Sequence, residues 1–407
     1  MWNPISDQAV MADFWAPRPN GVWRRVLTPL RKFYLEKFYA VKDVTLLGAE
    51  NLSVIRDGDG VMVTPNHSHD SDPHVMMDVA RRLDRQFYFM AAWQIFKGHH
   101  GIDGFVLQRM GAFSVDREGC DRRAMRQAVE LMTTGRWLVV FPEGEIYHTN
   151  ERLTPLREGV AFMAGTAQKD LEKAAEGRKV WIVPTAIRYT YAQDVTPQLE
   201  TAMTELEDRM KLRTGTGAPL AERILRFGDA VLTIKEKEQL GKPGDGPLAP
   251  RLKTLINAIL QRHETKWLRK TQDENSVSLR VKSLRQQLLE VWADENAAAE
   301  DRNKAKQALD DVQLVMQLYS YPGDYVSENP TVERMAETIE KFEEDVYGGI
   351  VRPKGQRNAR VLLGAPIDVS AETHGLRPRA AATELTTKLE TAIKNLMKVN
   401  ATTDSNV

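Results

Sequence analysis

The stretch Val61 to Met77, VMVTPNHSHDSDPHVMM, constrains the chain most, because it sets a short apolar run directly against a cluster of reactive side chains. Val61, Met62 and Val63 form a β-type run, and Thr64-Pro65 ends it, since proline lacks an amide donor and restricts the residue before it. A helix is predicted to start near Pro73. Between strand and helix lie Asn66, His67, His69, Asp70 and Asp72, in the kind of strand-end loop where ligand and catalytic groups commonly sit.

Two chemistries fit these residues. In one, Asp72 holds one ring nitrogen of His67 and fixes its tautomer, so that the other nitrogen takes a proton from a substrate hydroxyl. In the other, His67, His69, Asp72 and His74 gather a metal ion, as imidazole and carboxylate groups do for zinc. HSHDSDPH is superficially similar to the His-x-His-x-Asp-His signature of metallo-β-lactamase-type hydrolases. Here the aspartate stands three residues after His69 instead of two, and Pro73 separates it from His74. Asp72-Pro73 also reads as an ordinary helix cap and first turn.

Four further blocks, in order, accompany NHSHDSD: GAFSVDR from Gly111 to Arg117, FPEG from Phe141 to Gly144, WIVPTAIRY from Trp181 to Tyr189, and a late VLLGAPIDV. Together they resemble the glycerolipid acyltransferases typified by 1-acylglycerol-3-phosphate acyltransferase. The resemblance implies His67 and Asp72 as the catalytic pair, and Asn66, Arg117, Glu143 and Gly144 as substrate-binding residues. It also implies an acyl thioester donor, either acyl-CoA or acyl-carrier protein, with no metal or other cofactor. Many members follow the glycine of the third block with Thr-Arg, whereas this chain continues Glu145-Ile146-Tyr147-His148 and lacks that arginine. Arg157, in LTPLREGVAFMA, aligns with the basic residue that precedes the next helix and is the candidate to compensate.

Composition sets bounds. Lys plus Arg equals Asp plus Glu at 56 each over 407 residues, so no global charge draws the chain to nucleic acid, and any attraction to a membrane must come from a local patch. The lone cysteine, Cys120, excludes a disulfide framework within the chain and favours a reducing compartment. Lying in DREGCDRR with no nearby histidine, it is a poor nucleophile. No signal-peptide pattern is recognised at the start, and no run reaches the roughly 18 apolar residues of a membrane span.

From Gly21 to Lys42 the chain is aromatic and basic. Trp23, Leu27, Leu30, Tyr34, Phe38 and Val41 recur at helical spacing, with Arg24, Arg25, Arg31, Lys32 and Lys37 between them. Thr28-Pro29 is expected to split this segment into two short helices. Residues 1–42 are therefore read as an amphipathic membrane-contact segment on the inner, cytoplasmic face of a bilayer. Residues 43–195 form an α/β core with a mixed sheet flanked by helices, and KGHHGIDG is read as a polar turn within it. The region 196–349, rich in helical patterns and broken at GKPGDGP, reads as a large helical insertion with a face for membrane, partner or a second copy of the chain. Residues 350–400 return to the core, and 401–407 read as a disordered tail. The expected activity is transfer of a fatty acyl group to a hydroxyl of a lysophospholipid or glycerol-phosphate-type acceptor. A metal-dependent hydrolase and a non-catalytic membrane-binding protein on the same fold are the alternatives.

Overall fold

A computed structural model describes residues 13–117, 121–175, 177–212, 217–272, 276–349 and 351–402, with side chains left out at 24–31, 100 and 402. Cys120, the first twelve residues and most of the predicted tail lie outside these. Among the described residues the apolar runs pair into one mixed sheet, built from β1 (Val41–Leu47), β2 (Gly60–Pro65), β3 (Phe87–Ala92), β4 (Ala112–Val115), β5 (Trp137–Val139), β6 (Val180–Tyr191), β7 (Arg357–Leu363) and β8 (Ile367–Asp368). The order is β1-β7-β6-β2-β5-β3-β4, with β8 on β6. β2, β3, β4 and β5 run parallel to one another and to β6, whereas β7 pairs antiparallel to β6 and parallel to β1.

Every residue of β2 is buried, and its side chains alternate between two cores. Met62 faces a cluster with Leu138, Ile182, Leu385, Leu389 and Ile393, while Val61 and Val63 face one with Val75, Val79, Val139 and Leu35. Covered on both sides, the sheet reads in sequence as continuous apolar runs. Each such side chain contributes about 1.5–3 kcal/mol when fully buried.

The helices that cover it are α1 (Gly21–Tyr39), α2 (Asp72–Arg82), α3 (Trp93–Phe96), α4 (Ile102–Arg109), α5 (Arg122–Thr133) and α6 (Gly159–Lys173). Contrary to the predicted break at Thr28-Pro29, α1 is continuous. A proline removes one helical hydrogen bond, and a helix of 19 residues keeps bonds enough on either side to run through it. Its seating residue is Leu35, whereas Trp23, Tyr34 and Phe38 of the predicted stripe are exposed, as is Phe33. KGHHGIDG forms a 3-10 turn over Gly98–Gly101 that leads into α4.

By contact density the chain divides into two compact units, one holding Ala12–Gln193 with the residues from Gly355 on, the other Asp194–Lys354. The second unit is helical: α7 (Thr196–Met210), α8 (Leu220–Leu240), α9 (Leu248–His263), α10 (Val277–Ala293), α11 (Ala299–Tyr319), α12 (Tyr325–Glu328) and α13 (Val332–Tyr347). It has its own core, in which Leu252, Leu255, Ile256 and Ile259 of α9 meet Leu284 and Leu288 of α10 and Val312 and Val315 of α11. The chain then returns through β7, β8, α14 (Val369–Thr373) and α15 (Pro378–Thr402), whose last turn takes in two residues assigned to the tail.

Candidate active site

Parallel strands deliver their C-terminal ends to one edge of a sheet, and the loops leaving β2, β4 and β5 do so here. The β2 loop carries His67, the β4 loop Arg117, and the β5 loop Glu143, Gly144 and Glu145.

The β2 loop folds back on itself around Asp72, the first residue of α2. Asp72 is fully buried, and its Oδ2 accepts from the amides of Ser68 at 2.8 Å and His69 at 2.9 Å and faces His67 Nδ1 at 2.9 Å. An oxygen that already accepts two amides is an acceptor, so Nδ1 carries the proton and Nε2 keeps its lone pair. The other oxygen accepts the Tyr189 hydroxyl at 2.6 Å, and that hydroxyl accepts from Ser71 at 2.9 Å. Asp72 therefore orients His67 instead of capping α2, which has no side-chain cap. Phe141 stacks on the His67 ring, with centroids 4.0 Å apart, and fixes its plane.

Glu143 supports the same loop from below. Its Oε1 accepts the His67 amide at 2.7 Å and its Oε2 accepts the Thr154 amide at 2.9 Å and the Thr154 hydroxyl. Burial pushes its carboxyl up to about 7, against the opposing pull of those hydrogen bonds. The amides of His67, Ser68 and His69 all donate to carboxyl groups, the first to Glu143 and the other two to Asp72.

Asn66 is buried, and both ends of its amide bind the backbone of Ile187 in β6, at 2.7 and 3.1 Å. What it does in this arrangement is pin the loop to the sheet. Gly144 has φ +78°, and a Cβ there would lie 2.4 Å from Arg157 Nε, so only glycine lets the arginine lie across the turn. Arg117 donates to the Gly144 carbonyl at 3.1 Å and to Glu145 at 2.8 Å, and Arg157 lies 3.7 Å from the other oxygen of Glu145.

The four residues of the metal alternative do not converge. The Arg357 guanidinium lies 3.0 Å from His69 Nε2, and burial, reinforced by Arg357, holds this histidine well below its ordinary pKa. The ring of His74 packs against Tyr34 and Tyr39, at 5.0 and 5.2 Å. Among the described residues no group of three or more His, Cys, Asp or Glu side chains is arranged to hold a metal ion.

A family model described as Acyltransferase matches residues 44–188. Residues 44–188 are thus an acyltransferase domain, in support of the glycerolipid acyltransferase family. A search of curated proteins finds no match. The matched span contains His67, Asp72, Asn66, Arg117, Glu143, Gly144 and Arg157. The His67 network also includes two residues that sequence reasoning did not single out, both beyond the matched span. Tyr189 supplies the second partner of Asp72, and Arg357, on β7 beyond the helical unit, lies 5.0 Å over the Tyr189 ring while it donates to the Tyr39 carbonyl at 3.2 Å. Tyr189 stood in view as the one hydroxyl at the end of an apolar block. Arg357 left no local signal.

Proposed function

We propose that the protein moves a fatty acyl group from an acyl thioester, acyl-CoA or acyl-carrier protein, to a hydroxyl of a lysophospholipid or glycerol-phosphate-type acceptor. The observation that carries this reading is the buried Asp72 carboxylate 2.9 Å from His67 Nδ1, which leaves Nε2 as the basic nitrogen. His67 takes the proton of the acceptor hydroxyl as its oxygen attacks the thioester carbonyl. The carbon–sulfur bond then breaks, and the departing thiolate takes the proton back from the imidazolium. Asp72 stabilises that imidazolium throughout. Thiolate leaves readily, so the protein chiefly supplies position and one base, and no acyl-enzyme is required.

Arg117 and Arg157 are the headgroup ligands in this reading, since guanidinium groups offer forks of donors suited to phosphate. The exposed aromatic residues Trp23, Phe33, Tyr34 and Phe38 on α1, with Lys37 over the rings of Phe33 and Phe38, support contact with an anionic bilayer surface. Among the described residues no helix is long and apolar enough to cross a membrane.

Thiol release from long-chain acyl-CoA and acyl-carrier protein, with a panel of lysolipid acceptors, tests the proposal. Acceptor-dependent release is expected, and His67→Ala lowers it by about 10²–10⁴-fold. Release that persists undiminished in the variant would remove His67 as the base. No release from either donor with any acceptor would overturn the transfer itself.

A further inference from the structure

Two guanidinium groups share one carboxylate beside the proposed base. Arg117 Nη1 reaches Glu145 Oε2 at 2.8 Å and Arg157 Nη2 lies 3.7 Å from Oε1, so Glu145 stands between the two cations. The three side chains are 34, 36 and 31% exposed, which leaves the group open to an incoming ligand. Glu145 is two residues beyond Glu143, whose carboxylate accepts the His67 amide, and Arg157 crosses the intervening Gly144. The β5 loop therefore carries both the carboxylate of the clamp and, two residues before it, the carboxyl that holds the His67 loop. Without Glu145 the arginines would present two positive charges. With it they present one.

We infer that Glu145 is a specificity-determining residue: it matches the headgroup site to a phosphodiester, which carries one negative charge, and disfavours a phosphate monoester, which carries more. A monoester bears close to two negative charges at neutral pH, and the second would have to sit against the Glu145 carboxylate or displace it from both arginines. Either course weakens binding of the monoester selectively, because the diester needs only the single charge left uncompensated. The inference rests on the reading of Arg117 and Arg157 as headgroup ligands and goes beyond it in assigning the charge that the site accepts.

Binding of two soluble headgroup probes to the full-length protein, without any acyl donor, tests this. The probes are glycerol 3-phosphate, a monoester, and glycerophosphoglycerol, a diester, followed by calorimetry at fixed ionic strength. The native protein is expected to prefer the diester. Glu145→Gln keeps the shape of the side chain, and its thermal melt serves as the control for folding. It is expected to tighten the monoester about three- to tenfold relative to the diester, in keeping with the modest strength of partly exposed ion pairs. Arg117→Gln in the Glu145→Gln background is expected to abolish that gain. An unchanged monoester-to-diester ratio in Glu145→Gln overturns the inference, and so does failure of both probes to bind either protein up to millimolar concentration. Because no turnover is measured, a charge switch in a protein that releases no thiol would refute the transfer reading and leave this one standing.

Discussion

Glu143 shows what a single buried carboxyl does to the whole chain. Its pKa is pushed from 4.5 to about 7 by burial. Between those values the folded chain holds a proton that the unfolded chain has released, so stability must fall as pH rises through that window. Urea midpoints measured between about pH 4.5 and about 7 should decline, and Glu143→Gln should flatten the part of the decline that Glu143 causes. Parallel pH profiles for the two proteins would show that burial does not set this group. The contact between His67 and Asp72 was legible in the sequence, since the two are close enough in one loop for the chain to turn back and join them. Their supports were not. Thr154, Tyr189 and Arg357 each bring polar groups from a distant segment, and nothing local in TAIRY or RNARV marks a side chain that will meet Asp72 or His69. Asn66 was legible as part of the loop, but not the direction of its amide, which depends on β6 lying alongside.

In α13, Lys341 is an element-scale liability. Its Nζ lies 5.2 Å from the Tyr321 ring centroid, and burial lowers it to about 8 against the opposing pull of Asp345 and Glu344. Asp345 is occupied by the Tyr321 hydroxyl at 2.6 Å and by Gln317 at 3.2 Å. From about pH 8 to 10.5 the unfolded chain keeps the lysine proton that the folded helix has lost, so stability is expected to rise with pH over that range. Lys341→Met should raise the melting temperature at pH 7 by about 2–4 °C and remove the alkaline rise. A variant that melts lower, with the rise intact, would place the cost elsewhere. The packing of α9 follows its helical periodicity, which sets Leu252, Leu255, Ile256 and Ile259 on one face, toward its own core. Elements governed by exceptions were harder to read. In α1, length outweighs one proline. In α15, a threonine-rich stretch hides Leu385, Leu389 and Ile393, which are spaced to cover the sheet.

At the scale of the molecule, the helical unit is inserted between two strands that are already partners. β6 and β7 pair antiparallel from Thr185↔Leu363 to Tyr191↔Arg357, and the Ala192 amide donates to the Gln356 carbonyl at 2.8 Å. The chain thus leaves the sheet and returns to it at facing positions, as in a hairpin whose loop is residues 194–354. Loop-closure entropy rises only slowly with length, so the sheet pays little for this insertion and does not need it to close. The helices have a core of their own, and His67, Asp72, Glu143, Tyr189 and Arg357 all belong to the other unit. Joining Gln193 to Gly355 through Asn-Gly, a favoured hairpin turn, should give a shortened chain that unfolds cooperatively. It should also retain acceptor-dependent thiol release within about tenfold of the full-length protein, because no residue of the His67 network has been removed. A shortened chain without a cooperative transition would show that the sheet depends on the helices for stability. A folded chain without thiol release would instead assign the helical unit a part in binding donor or acceptor, a role that no contact of His67 or Asp72 reveals.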